Sequence, residues 1–307
     1  MIPRLGGIHH ITAIASDPQR NLDFYTGFLG LRLVKKTVNF DDPGTYHFYF
    51  ADFEGRPGTI LTFFPWPGAS RGRQGAGQVT AVSFAVPPGS LRAWELRTAA
   101  ERMLTDIVVE RFGEKVLRMY DPDGMPVELI ETPTAPVGSI GLFHAPTLAT
   151  ANPEATARFL TETMEFRQVS NNGKRIRFEA GDGGPGAMFD LCADPPAKSG
   201  LGGAGTVHHI AWRTVDDASQ RLWRDRLVEG GRYVTDIMDR QYFHSIYFRE
   251  PGGILFEIAT EPPGFSVDEP VEALGTSLKL PPWLEPERDR IEAALPKVHA
   301  QPSRLRT

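Results

Sequence analysis

Gly7-Ile8-His9-His10-Ile11-Thr12-Ala13 and, far along the chain, Thr206-Val207-His208-His209-Ile210-Ala211-Trp212 each set a doubled histidine in an apolar strand and follow it with isoleucine. The echo predicts an internal repeat, and missing a repeat mis-assigns a fold. Working outward, four stretches share one grammar: residues 8–66, 79–131, 141–191 and 207–260. Each opens with a short apolar strand, continues into a helix, and ends in two or three strands. In the first stretch Asp17 suits a helix N-cap. Leu22, Phe24, Tyr25, Phe28 and Leu29 form a helical apolar face, and Gly30 ends that helix. Tyr46, Phe48 and Phe50 then alternate as a half-buried strand. In the later stretches helices are expected over 91–103, 153–164 and 218–229. Asp121-Pro122-Asp123-Gly124 and Pro251-Gly252-Gly253 read as hairpin turns.

The expected class is therefore α+β, with four βαβββ modules paired into two cup-shaped mixed sheets and helices outside. Modules 1 and 2 make an N-terminal half, residues 1–135, and modules 3 and 4 a C-terminal half, residues 136–262. A linker over 132–139 joins them. A proline-rich arm, residues 263–307, is expected to pack on the body with one helix over 285–295 and to fray near its end.

Composition narrows the function. Net charge is -5 with no basic stripe, which gives no footprint for nucleic acid or a membrane surface. Cys192 is the one cysteine, so no internal disulfide forms, and it reads as a small buried hydrophobe. The residues before Ile8 show no signal-peptide pattern, so a cytoplasmic enzyme is expected, with a homo-oligomer left open.

Laying the modules on one another lines up His10, Ala81, His144 and His209 in the first strands, and Thr62, Glu128, Asp190 and Glu257 in the last strands. Acids in such apolar strands are usually paired or metal-bound. Two histidines and one carboxylate with open positions make the facial triad of non-haem Fe(II) oxygenases. His209 and Glu257 share one module; the second histidine is His10 or His144, and the doublet echo favours His10. His144 then reads as a core histidine satisfied by Asp190 or Glu128, or as a vestige of a second site with them. His47 and His244 receive no role.

These residues resemble the vicinal oxygen chelate superfamily, the glyoxalase/bleomycin-resistance/dioxygenase proteins, and within it the hydroquinone ring-cleaving dioxygenases. The likeness rests on Ile8-His9-His10-Ile11-Thr12, on Tyr46-His47-Phe48-Tyr49-Phe50-Ala51-Asp52, on Gly55-Arg56-Pro57-Gly58-Thr59, on the second doublet, on Tyr247 to Glu257 and on Leu274-Gly275-Thr276-Ser277-Leu278-Lys279-Leu280. It implies iron held by His10, His209 and Glu257, so that modules 1 and 4 share the metal-bearing cup. It further implies supporting roles for His9, Thr12, His208, Arg240 and Tyr247, with a small aromatic substrate and O2 as reactants. The ligand set suits Mn(II) as well as Fe(II). The related catechol extradiol enzymes would instead select His144 with His209 and Glu257. A non-catalytic protein that sequesters small molecules could use the same scaffold. A glyoxalase-type isomerase needs a fourth ligand where this chain has Thr62.

Overall fold

The computed structural model describes residues 2–138, 140–194 and 196–299. Its strands fall into four modules of four: β1 (Ile8–Ala15), β2 (Arg32–Asn39), β3 (Asp42–Ala51) and β4 (Ile60–Pro65); β5 (Gln78–Val86), β6 (Val109–Arg111), β7 (Glu114–Tyr120) and β8 (Pro126–Glu131); β9 (Thr147–Ala149), β10 (Arg167–Asn171), β11 (Arg175–Glu179) and β12 (Met188–Cys192); β13 (Thr206–Thr214), β14 (Met238–Asp239), β15 (His244–Arg249) and β16 (Leu255–Thr260). A helix follows the first strand of every module, as expected. In modules 1 and 3 that helix starts on a side-chain cap, Asp17 or Asn152, with proline next, and widens into a π turn. Gly30, at φ +85°, ends the first one.

The strands form two eight-stranded mixed sheets, in the orders β14-β15-β16-β13-β1-β4-β3-β2 and β10-β11-β12-β9-β5-β8-β7-β6. Modules 1 and 4 build the first, modules 2 and 3 the second, so each sheet draws on both halves of the chain. Antiparallel seams join the modules: β1 to β13 in one sheet and β5 to β9 in the other. The sheets are tied to each other by helix-to-turn contacts. Tyr25, from the first helix, packs on Phe50 and Phe63 and donates to Asp121, whose carboxylate also caps its turn through the backbone N–H groups of Asp123 and Met125. Thr156, from the third helix, donates likewise to Glu250, which accepts from the N–H groups of Gly252 and Ile254.

The arm packs on module 1. Buried Lys35 sends its ammonium to Asp268 at 2.5 Å and Glu269 at 2.6 Å. A 3-10 turn over Glu285–Glu287 leads into a helix over Arg288–Ala294, and Ile291 is buried. The fraying expected at the chain end falls on residues 300–307, outside the described residues.

The cup of modules 2 and 3 is filled by paired charged side chains. Glu128, fully buried, accepts from Arg111 at 2.8 and 2.9 Å, from Arg118 at 2.7 Å and from Ser83 at 2.8 Å. Asp190 accepts from Arg177 at 2.7 Å, and Arg177 also reaches Glu114. Burial alone would push the Glu128 carboxyl up; the two guanidinium groups outweigh it and hold the value at about 2.

A carboxyl depressed on folding adds stability above its unfolded value, and that stability is lost as pH falls through the folded one. Glu128→Gln is therefore expected to cost about 3 kcal/mol at neutral pH. The gap from the unsubstituted protein should close as pH falls from 4.5 toward about 2. Urea unfolding across that range measures it; a gap independent of pH would contradict the ionic account.

Candidate metal centre

Neighbouring strand residues face opposite sides, so a histidine doublet in a regular strand would send one ring away from the cup. The seam avoids this. Ile8 pairs with Trp212 but His10 pairs with Ala211, so His9 is an extra residue on β1; Thr12 pairs with His209 but Ala13 pairs with Val207, so His208 is extra on β13. Each doublet sits on a β-bulge, a device that re-aims side chains. As a result His9 Nδ1 lies 2.9 Å from His10 Nδ1, and His208 Nδ1 lies 2.7 Å from His209 Nδ1.

With Nδ1 of each second histidine engaged this way, Nε2 is turned inward. His10 Nε2 and His209 Nε2 lie 3.2 Å apart, and Glu257 Oε2 lies 3.2 Å from the first and 2.9 Å from the second. Among the described residues this is the one group of three whose ligand atoms converge. The three edges fit one face of an octahedron, whose edge is about 3.0 Å for bonds of about 2.1 Å. Glu257 is fully buried, and its Oε2 meets only the two imidazole nitrogens and has no aligned hydrogen-bond donor. Its other oxygen accepts from Ser245.

Burial holds the His209 imidazole below its ordinary value and so neutral, while the two imidazoles keep Glu257 well below the usual carboxylate range against the pull of burial. Neutral imidazole and ionised carboxylate are the forms that bind a metal. An orphaned buried oxygen facing two ring nitrogens fits a divalent cation. His9, whose ring is driven neutral by burial and has a backbone partner at Thr260, backs His10 as the outer partner of metal-ligating histidines does.

The triangle opens into a cavity of about 300 Å3. Its walls are aromatic: Phe40, Tyr49, Phe64, Trp66, Phe243 and Tyr247. Thr12, His208 and Arg240 also line it, whereas His9 stands behind His10 and does not. Arg240 donates to the Tyr247 hydroxyl at 3.3 Å and pairs with Asp41 at 3.1 Å. Burial raises the Tyr247 phenol, so it stays protonated as a donor at neutral pH. Of the residues assigned no role from sequence, His47 belongs to this wall, bonded to Thr62 at 2.8 Å and to Tyr49 at 2.9 Å. Its strand neighbour Tyr49 stands opposite Thr62, as Tyr247 stands opposite Glu257. That equivalence was the available signal.

His144 requires a correction. Thr12 pairs with Thr62, Ser83 with Glu128, Thr147 with Asp190 and Ala211 with Glu257. Counting back two residues from each first-strand member gives His10, Ala81, Ala145 and His209. The third module thus carries Ala145 at the ligand position, and His144 is one residue out, before the short strand begins. Its Nε2 bonds Glu114 at 2.7 Å, neither Asp190 nor Glu128, in the cup of modules 2 and 3. The catechol-type combination of His144 with His209 is not assembled.

A family model described as the Glyoxalase/Bleomycin resistance protein/Dioxygenase superfamily matches residues 7–129 and 142–258. The chain is 46% identical to MhqO of Bacillus subtilis, named a ring-cleaving dioxygenase, over 96% of this chain and 97% of that protein. It is 36% identical to a chlorohydroquinone/hydroquinone 1,2-dioxygenase of Sphingobium indicum, over 94% and 95%. A crystal structure described as a dioxygenase of Bacillus subtilis matches with a TM-score of 0.92 and 45% identity, covering 97% of this chain and 99% of that one.

His10→Ala should abolish tight binding of a divalent metal, while His144→Ala should leave it unchanged. His9→Leu should weaken binding by about 10- to 100-fold, the usual effect of removing an outer partner. Metal content after dialysis and calorimetric titration read all three; metal retained by His10→Ala would refute the assignment.

Proposed function

This chain belongs to the Glyoxalase/Bleomycin resistance protein/Dioxygenase superfamily, and from that premise we propose that it is an Fe(II)-dependent dioxygenase that opens the ring of a hydroquinone-like substrate, with or without chlorine or other substituents. The observation that carries the reading is a triangle of two imidazoles and one carboxylate opening into an aromatic-walled cavity. The whole-length likeness to a chlorohydroquinone/hydroquinone 1,2-dioxygenase supports the substrate class. A ferrous ion held by His10, His209 and Glu257 would supply the redox and Lewis-acid chemistry that joins O2 to an electron-rich ring; Mn(II) suits the same ligands.

The chain's own residues do the rest. The walls of Phe64, Trp66 and Phe243 grip a flat ring and exclude water. Phe243 also packs against the ligand side, its ring 5.1 Å from that of His10. The Tyr247 hydroxyl and the Arg240 guanidinium stabilise negative charge that grows on oxygen during ring opening. His208, whose Nδ1 is taken up by His209, also lines the cavity. His9 orients His10 and touches no substrate.

Protein purified without oxygen and loaded with Fe(II) should consume O2 with hydroquinones and place both atoms of labelled dioxygen in a ring-opened product. Tyr247→Phe should lower kcat by about 100-fold with a smaller change in KM. Absence of oxygen uptake with hydroquinones and catechols alike, from iron-loaded protein, would overturn the reading in favour of a sequestering protein.

A further inference from the structure

Thr62 stands where the pseudo-symmetric module has Glu257, and His47 stands where that module has Ser245. In module 4 the serine supports a ligand. In module 1 the same geometry holds a chain of hydrogen bonds with one direction. Thr62 donates to Thr12, oxygen to oxygen, at 2.9 Å. A hydroxyl has a single proton, so Thr62 can only accept from His47, which lies at 2.8 Å through Nε2. Nε2 therefore carries the imidazole proton, and Nδ1 accepts from the Tyr49 hydroxyl at 2.9 Å. Burial holds His47 well below its ordinary value, which keeps the ring neutral and able to donate on one side while accepting on the other. Thr12 closes the chain. It is fully buried as a residue, lines the cavity beside His10 and donates to no described residue.

We propose that His47 is a positioning residue which, by fixing the direction of the Tyr49–His47–Thr62–Thr12 chain, makes the Thr12 hydroxyl a hydrogen-bond donor to a substrate oxygen and so favours binding of the ionised phenol. The inference rests on the phenolic substrate class proposed above. An imidazole is suited to this task because its two nitrogens differ; a chain of hydroxyls alone could reverse and present Thr12 as an acceptor, which would favour the un-ionised phenol. Thr12 bonds to Thr62, which holds the module position of a fourth ligand, and lines the cavity together with His10. The other ionisable groups facing the chain are His10, His209, Glu257, Arg240 and Tyr247, and they stay constant in every variant below.

The test uses the full chain loaded with Zn(II) and the chromophore 4-nitrophenol, whose ionised form absorbs in the visible. A pH titration of the bound probe gives its pKa directly. That value should rise by about one unit in His47→Leu and in Thr62→Val, since the Thr12 proton is no longer committed to the charged probe oxygen. The double variant should show no further rise, because the chain acts as one unit. His47→Gln, which keeps a donor toward Thr62, should stay near the unsubstituted protein. With Fe(II) and hydroquinone, His47→Leu should raise KM about tenfold more than it lowers kcat. An unchanged probe pKa in both single variants, at unchanged metal content, overturns the proposal, as does failure of the unsubstituted protein to bind the ionised probe. A depressed probe pKa relieved by both variants, in a protein that consumes no oxygen, would leave the chain in place and remove only the dioxygenase reading.

Discussion

Two imidazole nitrogens and a carboxylate oxygen directed at one buried point do not attract one another. In the protonation forms that bind a metal each presents a lone pair, and Glu257 Oε2 is fully buried with no other partner. A buried charge left this way costs several kcal/mol, and a cation at the common point reverses the sign. The first cup is organised around that need. The residues that would hold it come from β1, β13 and β16, the strands that form and flank the seam between the first and last modules. Metal binding would therefore also be folding energy, spent on holding together two modules that lie far apart in the sequence. The bulges at His9 and His208 belong to the same constraint, because they let the outer histidine of each doublet support the inner one from behind.

The second cup meets a similar electrostatic problem by another route. Glu128 and Asp190 occupy the strand positions of Glu257, but the ligand-histidine positions hold Ala81 and Ala145. Guanidinium groups of Arg111, Arg118 and Arg177 fill the space instead and satisfy the carboxylates through several hydrogen bonds each. Arginine suits this because its planar fork matches a carboxylate and its charge is permanent. One architecture, repeated, thus gives one cup neutralised by fixed cations and one whose charge balance a bound ion would supply.

Much of this was legible in the sequence because it was written twice. The doubled histidines announced both the repeat and the two imidazoles that converge, and Glu257 completes that cluster. Asp17 as a cap and Gly30 as a stop followed from local backbone chemistry. The position of His144 was misread because ladder register, with its period of two, is invisible in a stretch that forms no strand; Ala145, at φ +54°, lies in a break just before β9. The partner Glu114 comes from another module, and no spacing rule connects residues so placed. His47 escaped for a related reason: its meaning depends on standing opposite Thr62 across a hairpin with a long connection, a relation that only the ladder reveals. The bulges themselves leave no compositional mark.

The frame of the first cup is nearly two-fold symmetric, yet its polar lining is not, and that difference bears on substrate recognition. Tyr49 and Tyr247 occupy equivalent positions opposite Thr62 and Glu257. Tyr49 hydrogen-bonds to a neutral imidazole, and in the proposed chain that direction passes through the Thr62 hydroxyl to Thr12. Tyr247 is instead held by the charged Arg240, which Asp41 in turn balances across the cavity mouth. A symmetric pair of donors would treat the two oxygens of a hydroquinone alike. One neutral chain beside the His10–His209–Glu257 cluster and one cationic contact on the opposite module would treat them differently, so a hydroquinone ring would be oriented by which oxygen more readily gives up its proton. In this arrangement the repeat supplies the cup, and the departures from the repeat supply the chemistry.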